Sequence, residues 1–336
     1  MSAMVIEKLN MARRYFEQGD LSSTLNEISH VKVLDLSLLK EEIQKHTGNV
    51  RFLEENHQIK SRHLVGIFDC PYHPYLSLEY SEIEDVRPSM KIEGAFENIR
   101  CVRSLSSTPG LSHEQVVAIF PENFRSIQAQ AFHPVYYFVD KFAYRHKKFT
   151  RPLLETFVYK DFFSPLVKLQ DSQLEKLVSN WVNLHEVSHR TGAMPLPEFL
   201  LEKSNRYTAA FEELRADLKT IVYSISVQEP MTAMYVLGER LLAYPLLRDS
   251  LNFDAISSVI MWKFLKEEGV FARELTLEAM SISLNKLLSF MENMEKESLA
   301  YETYEERKAS LRKFIVNYLG NYTVLLNEYR NFWSRA

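Results

Sequence analysis

The pentapeptide His185-Glu186-Val187-Ser188-His189 constrains this chain more than any other stretch of it. Its histidines are four residues apart, so on an α-helix they stand one turn apart on one face, roughly 5–6 Å between Cβ atoms. Both imidazoles then reach a single cation at about 2.0–2.1 Å, with Glu186 beside them to handle a bound water. The surrounding segment from Asp171 to Gly192 reads as that helix. Asp171 or Ser172 can cap its start, neither proline nor glycine interrupts it, and Gly192 follows its end. The apolar positions Leu174, Val178 and Trp181 lead into His185 and His189. This spacing turns both rings inward, where a polar ring needs a partner.

A third ligand is available in the segment from Arg206 to Asp217. Zinc in a catalytic site takes three protein ligands and keeps one position for water. A helical Glu213 can be the third, and Asp217, one turn on, can accept the remaining N–H of a ligating imidazole. Two carboxylates a turn apart repel each other unless something positive lies near them.

H-E-x-x-H followed by E-x-x-x-D resembles the gluzincin zinc metallopeptidases, the thermolysin and neprilysin kind. The string Glu212-Glu213-Leu214-Arg215-Ala216-Asp217 is also similar to the E-E-x-R-A-[D/E] segment of the dipeptidyl-peptidase III family. The resemblance covers this stretch only. It implies Zn2+ as cofactor, His185, His189 and Glu213 as ligands, Glu186 as general base and Asp217 as support behind a ligand. The dipeptidyl-peptidase motif carries one more residue between its histidines than this chain does. No histidine follows His189, so the downstream imidazole that steadies the transition state in many gluzincins is missing. A developing oxyanion needs a donor, and Tyr207, Tyr235, Arg240 and Tyr244 are the candidates for that proton donor or cation.

The expected chemistry is hydrolysis of a peptide or amide bond by a metal-activated water, with Glu186 taking and returning the proton. Two other classes compete. Glu186-Val-Ser-His189 is also an E-x-x-H, and Glu54-Glu-Asn-His57 offers a second, the pair needed by a dinuclear iron carboxylate oxidase in a helical bundle. A non-catalytic helical scaffold stabilised by zinc would instead need a fourth protein ligand.

The chain around the motif is that of an ordinary globular protein, with 46% hydrophobic and 25% charged residues. A net charge of −4 points to no nucleic-acid partner, and no apolar run approaches the ~18 residues of a membrane span. The amphipathic start lacks the apolar core of a secretory signal, and Cys70 and Cys101 are too few for a disulfide framework. A cytoplasmic setting and a short peptide or small amide substrate are expected.

The expected fold is α+β and predominantly α-helical, with residues 1–134 a mixed region and 135–336 a helical catalytic domain. Residues 3–47 read as short helices. Stretches 62–68, 75–80, 90–96, 98–105 and 115–120 read as strands of a small antiparallel sheet. From Val135 onward the reading is helical. Lys141, Arg145, His146, Lys147, Lys148 and Arg151 form a basic cluster, read as a solvated face or as a receiver for a substrate carboxylate. Apolar residues three and four apart over 277–294 and 311–332 predict two long antiparallel helices, a C-terminal hairpin. The same spacing serves a homodimer equally well. The string between them, from Glu295 to Lys308, reads as a charged surface or connection.

Overall fold

A computed structural model describes residues 135–334 apart from 157–158, 197, 248–250 and 273. It also describes most of 7–29, the stretches 51–56, 63–69, 76–84, 86–89 and 99–107, and residues 118–119. The chain is mostly helical with one small sheet, as expected. It divides into two compact units, Met1–Arg87 with Phe96–Arg145, and Pro88–Ala95 with His146–Ala336.

The first unit carries α1 (Leu21–Ser29) and six strands, β1 (Arg51–Asn56), β2 (His63–Asp69), β3 (Leu76–Glu84), β4 (Ile99–Ser107), β5 (Ala118–Ile119) and β6 (Val135–Phe138). Asp20 starts α1 by accepting the Ser23 backbone N–H at 3.0 Å. The strand order is β1-β2-β3-β4-β6-β5. The expected antiparallel sheet is in fact mixed, because β4 and β6 run parallel with Cys101 opposite Tyr137. A parallel pair needs a long crossover, and residues 108–134 are long enough to make one.

Two strands escaped the sequence pattern. Arg51–Asn56 carries three charges without alternation and lacks a β-branched run, yet pairs along its full length with β2. Val135-Tyr-Tyr-Phe138 was expected to be helical, but all four residues are buried, which suits a β-branched and aromatic strand covered on both faces. The long C-terminal part of the second unit starts at His146 rather than at 135. The expected strand at 90–96 lies outside the described residues, as do 30–47 of the expected N-terminal helices.

Helix α2 (Val139–Arg145) closes the first unit, and a π-helical turn, His146–Thr150, opens the second. There follow α3 (Arg151–Thr156), α4 (Lys160–Val167), α5 (Asp171–His189), α6 (Arg206–Ser226), α7 (Pro230–Gly238), a π-helical turn at Glu239–Ala243 and α8 (Tyr244–Leu247). Then come α9 (Phe253–Glu267), a 3-10 turn (Val270–Ala272), α10 (Leu277–Ser298), α11 (Tyr304–Leu319) and α12 (Tyr322–Ser334). Helix α6 is the centre of this unit and packs against α5, α7, α9, α10 and α11. Being covered on several sides, it buries Glu212, Arg215 and Asp217 together with Phe211, Leu214 and Leu218.

Local chemistry sets the ends of these helices. Gln170 donates its backbone N–H to the Gln173 side chain at 3.0 Å, one residue before the expected caps of α5. Asn205 accepts the N–H groups of Tyr207 and Thr208 at the start of α6. Gln228 takes a positive φ of 63° between α6 and α7, and Pro230 then occupies the first turn of α7. Asn180 ties Ser89 to this unit, accepting its backbone N–H at 2.8 Å and donating to Thr232.

The basic cluster is a solvated face only in part, with Lys148 exposed. Lys141 and Arg145 are buried against the Phe138 and Phe142 rings, and buried His146 lies 2.8 Å from Glu239. Lys147 pairs with Asp171, and Arg151 donates to the Leu169 carbonyl. The second C-terminal seam is also not one helix. Gly320, at φ +60°, separates α11 from α12. Helix α10 packs on α11, whereas α12 packs on α9, so three helices replace the expected hairpin.

Candidate metal centre

Helix α5 delivers His185 and His189, and α6 delivers Glu213. One donor atom from each lies within 4.8 Å of the other two. The two Nε2 atoms are 2.9 Å apart, and Glu213 approaches them at 3.2 and 3.8 Å. A tetrahedron with ligands about 2.0–2.1 Å from its centre has edges of about 3.3 Å, and these separations scatter around that length. His185, Glu186 and His189 are each no more than 9% exposed, while Glu213 is half-buried.

The opposite edge of each ring is taken. His185 Nδ1 lies 2.7 Å from Asp217 Oδ1, and His189 Nδ1 lies 2.8 Å from Glu212 Oε1. Both carboxylates accept, so both Nδ1 atoms carry the proton. The Nε2 lone pairs then face each other at 2.9 Å, which demands a proton or cation between them. His185 is thus bridged by two residues of α6 one turn apart, Glu213 at Nε2 and Asp217 at Nδ1.

Each supporting carboxylate is itself held. Asp217, fully buried, accepts from Trp181 Nε1 at 2.8 Å and from Arg240 Nε at 2.6 Å. Arg240 lies in the π-helical turn after α7 and also reaches Asp254 and Ser257. Glu212 accepts from Arg215 through two nitrogens, at 2.6 and 3.0 Å, and from Lys203 at 2.5 Å. Lys203 and Arg215 also share Glu295, from the last turns of α10, at 2.8 and 3.2 Å.

Charge follows from these contacts. Burial by itself raises the Asp217 carboxyl, but Arg240 and His185 hold it well below the usual carboxylate range. Glu212 is the same case, with burial opposed by Arg215, His189 and Lys203. Burial pulls His185 down, yet Asp217 and Glu213 lift it well above its ordinary value. Glu213 is lowered against its burial, chiefly by His185. Glu186 is raised, because burial outweighs the attraction of the two histidines. Around the two rings the carboxylates of Glu186, Glu212, Glu213 and Asp217 gather in a buried site. A divalent cation fits the donor geometry of His185, His189 and Glu213.

The five residues expected at the site, His185, Glu186, His189, Glu213 and Asp217, therefore meet there. Of the four candidates for a proton donor, Arg240 is committed to a carboxylate, and the three tyrosines are placed by contacts of their rings. Arg240 anchors Asp217, and Tyr244 lies under its guanidinium at 4.6 Å. Tyr235 is buried against the Trp181 and His146 rings, and Tyr207 lies beneath Arg312 of α11 at 5.9 Å. Sequence reasoning missed the supports. Glu212 and Arg215 were in the quoted string, and Trp181 precedes His185 by one turn, but Lys203, Glu295 and Asp254 gave no local signal.

The rival metal sites lack their parts. Glu54 sits on strand β1 rather than on the helix that an E-x-x-H of a dinuclear iron bundle needs, and His57 lies outside the described residues. The group found among the described residues contains His185, His189 and Glu213 and no fourth ligand that would close a structural zinc site. Also among the described residues, no helix is long and apolar enough to cross a membrane. Compared with protein-family models, curated proteins and solved structures, the chain matches none of them.

Proposed function

We propose that this chain is a zinc-dependent hydrolase of gluzincin type that cleaves a peptide or small amide bond. The observation that carries this reading is the convergence of His185, His189 and Glu213, with both Nδ1 atoms already tied to carboxylates and Glu186 beside them. Zinc held there would act as a Lewis acid on the scissile carbonyl and make a nearby water more acidic.

The chain's own residues do the rest. Asp217 and Glu212 fix both rings so that only Nε2 faces the centre. Glu186 takes the proton of the attacking water as the C–O bond forms, then hands it to the amine as the C–N bond breaks. Its buried position favours this exchange, since burial raises its carboxyl toward working pH. The expected substrate is a short peptide, handled in the cytoplasm, with no membrane or nucleic acid involved.

A peptide-library digest with zinc-loaded wild type beside Glu186→Gln tests the reading. Both proteins should hold zinc, and the variant should cleave about 10²–10⁴-fold more slowly. Equal cleavage by the two removes Glu186 as base, and a zinc-loaded wild type that cleaves nothing argues against peptide hydrolysis.

A further inference from the structure

We propose that Glu295 is a positioning residue for the metal centre, acting on His189 through Lys203, Arg215 and Glu212 from a helix that contributes no ligand. This rests on the metal-binding reading above. Glu295 lies near the C-terminal end of α10, more than 100 positions from His189. In sequence it belongs to a string of charges that reads as surface, yet it is 0% exposed. Its Oε1 lies 2.8 Å from Lys203 Nζ and 3.2 Å from Arg215 Nε, and its Oε2 accepts the Ala193 backbone N–H at 3.3 Å.

Lys203 and Arg215 are the same two cations that hold Glu212, whose Oε1 accepts from His189 Nδ1 at 2.8 Å. Two carboxylates and two cations make a neutral buried cluster, in which each cation is divided between the carboxylates. Removing the charge of Glu295 leaves both cations to Glu212 alone. Their pull drains the carboxylate that polarises His189, so Nε2 becomes a poorer donor toward a metal.

The same carboxylate also fixes the connection between the two ligand-bearing helices. Within residues 190–205, the Leu196 N–H donates to His189 O at 2.7 Å, and Lys203 donates to the Met194 carbonyl. Gly192, at φ +107°, brings the backbone so close that an added Cβ would meet Glu295 Oε2 at 3.0 Å. Glu295 therefore holds the end of α5, the connection and the Glu212 network from one point. Docking of α10 becomes a condition for tight metal binding.

The test uses the full chain, freed of metal with a chelator and titrated with zinc against a chromophoric competitor. The visible spectrum of the cobalt-loaded protein is recorded in parallel. Glu295→Gln, which keeps the shape and removes the charge, should weaken zinc binding about tenfold, the lower end for outer partners of a ligand. Its cobalt absorption bands should shift. Glu295→Asp, which keeps the charge, should recover part of the affinity and remains informative if the glutamine variant does not fold. Leu311→Ala, a buried change on α11 outside the network, should lower the melting temperature but leave affinity and spectrum as in the wild type. Wild-type affinity and spectrum in Glu295→Gln overturn the proposal, and so does equal weakening in Leu311→Ala. A wild-type chain that takes up no zinc overturns the metal centre itself.

Discussion

Asp217 is asked to do two things that only an ionised carboxylate can do together. It accepts the His185 Nδ1 proton at 2.7 Å, and it neutralises the buried Arg240 guanidinium. Asp217→Asn should therefore weaken zinc binding by about 10–100-fold, measured by competition with a chelator. Trp181→Phe removes a single neutral donor from the same carboxylate, while Arg240 still fixes it. Losing one such hydrogen bond costs about 0.5–1.5 kcal/mol, so the effect on zinc binding should be at most about tenfold. If Trp181→Phe weakened binding as much as Asp217→Asn, the ring would be held by packing more than by charge. At this scale the sequence was readable where chemistry repeats at helical spacing, as in His185, His189, Glu213 and Asp217. Lys203 and Glu295 were not readable, because their charge is neutralised only by partners brought in by the fold.

Two glycines show how elements are joined around the centre. Gly192 ends α5 at φ +107° and Gly320 separates α11 from α12 at φ +60°, backbone conformations that a Cβ makes costly. At Gly320 an added Cβ meets nothing within 4 Å, so Gly320→Ala should cost only the backbone strain, about 1–3 kcal/mol. At Gly192 the same atom meets Arg215 Nη1 at 2.9 Å and Glu295 Oε2 at 3.0 Å, both held in the buried ion network. Gly192→Ala should cost the same strain plus about 1–3 kcal/mol for the crowding in urea unfolding, and should also weaken zinc binding. Equal costs would mean that the network yields freely. The glycine in the second C-terminal seam was the visible sign of two helices, but regular apolar spacing on both sides hid it. Strand β1 was unreadable for the opposite reason, since RFLEEN has neither alternation nor β-branching and is a strand because β2 offers it an edge.

Over the whole second unit, stability and metal binding draw on the same buried charges. Breaking a buried ion network by removing one partner costs about 3–5 kcal/mol, so metal-free Glu212→Gln should be less stable than wild type by about that much at neutral pH. Glu212 is held well below the usual carboxylate range in the folded chain. Its contribution is then complete above the unfolded value of about 4.3 and is lost as pH falls toward the folded one. The stability gap between wild type and Glu212→Gln should accordingly be constant from about pH 7 to 5 and narrow below about pH 4. A gap that widened in acid would contradict the sign of this shift.

The most direct measurement is the metal content of the full chain after equilibration with zinc at neutral pH and removal of unbound ion. The account predicts about one zinc per wild-type chain and a much smaller amount in Glu213→Ala, whose two histidines remain. A wild-type chain without zinc, or a Glu213→Ala chain that holds as much as wild type, would contradict it.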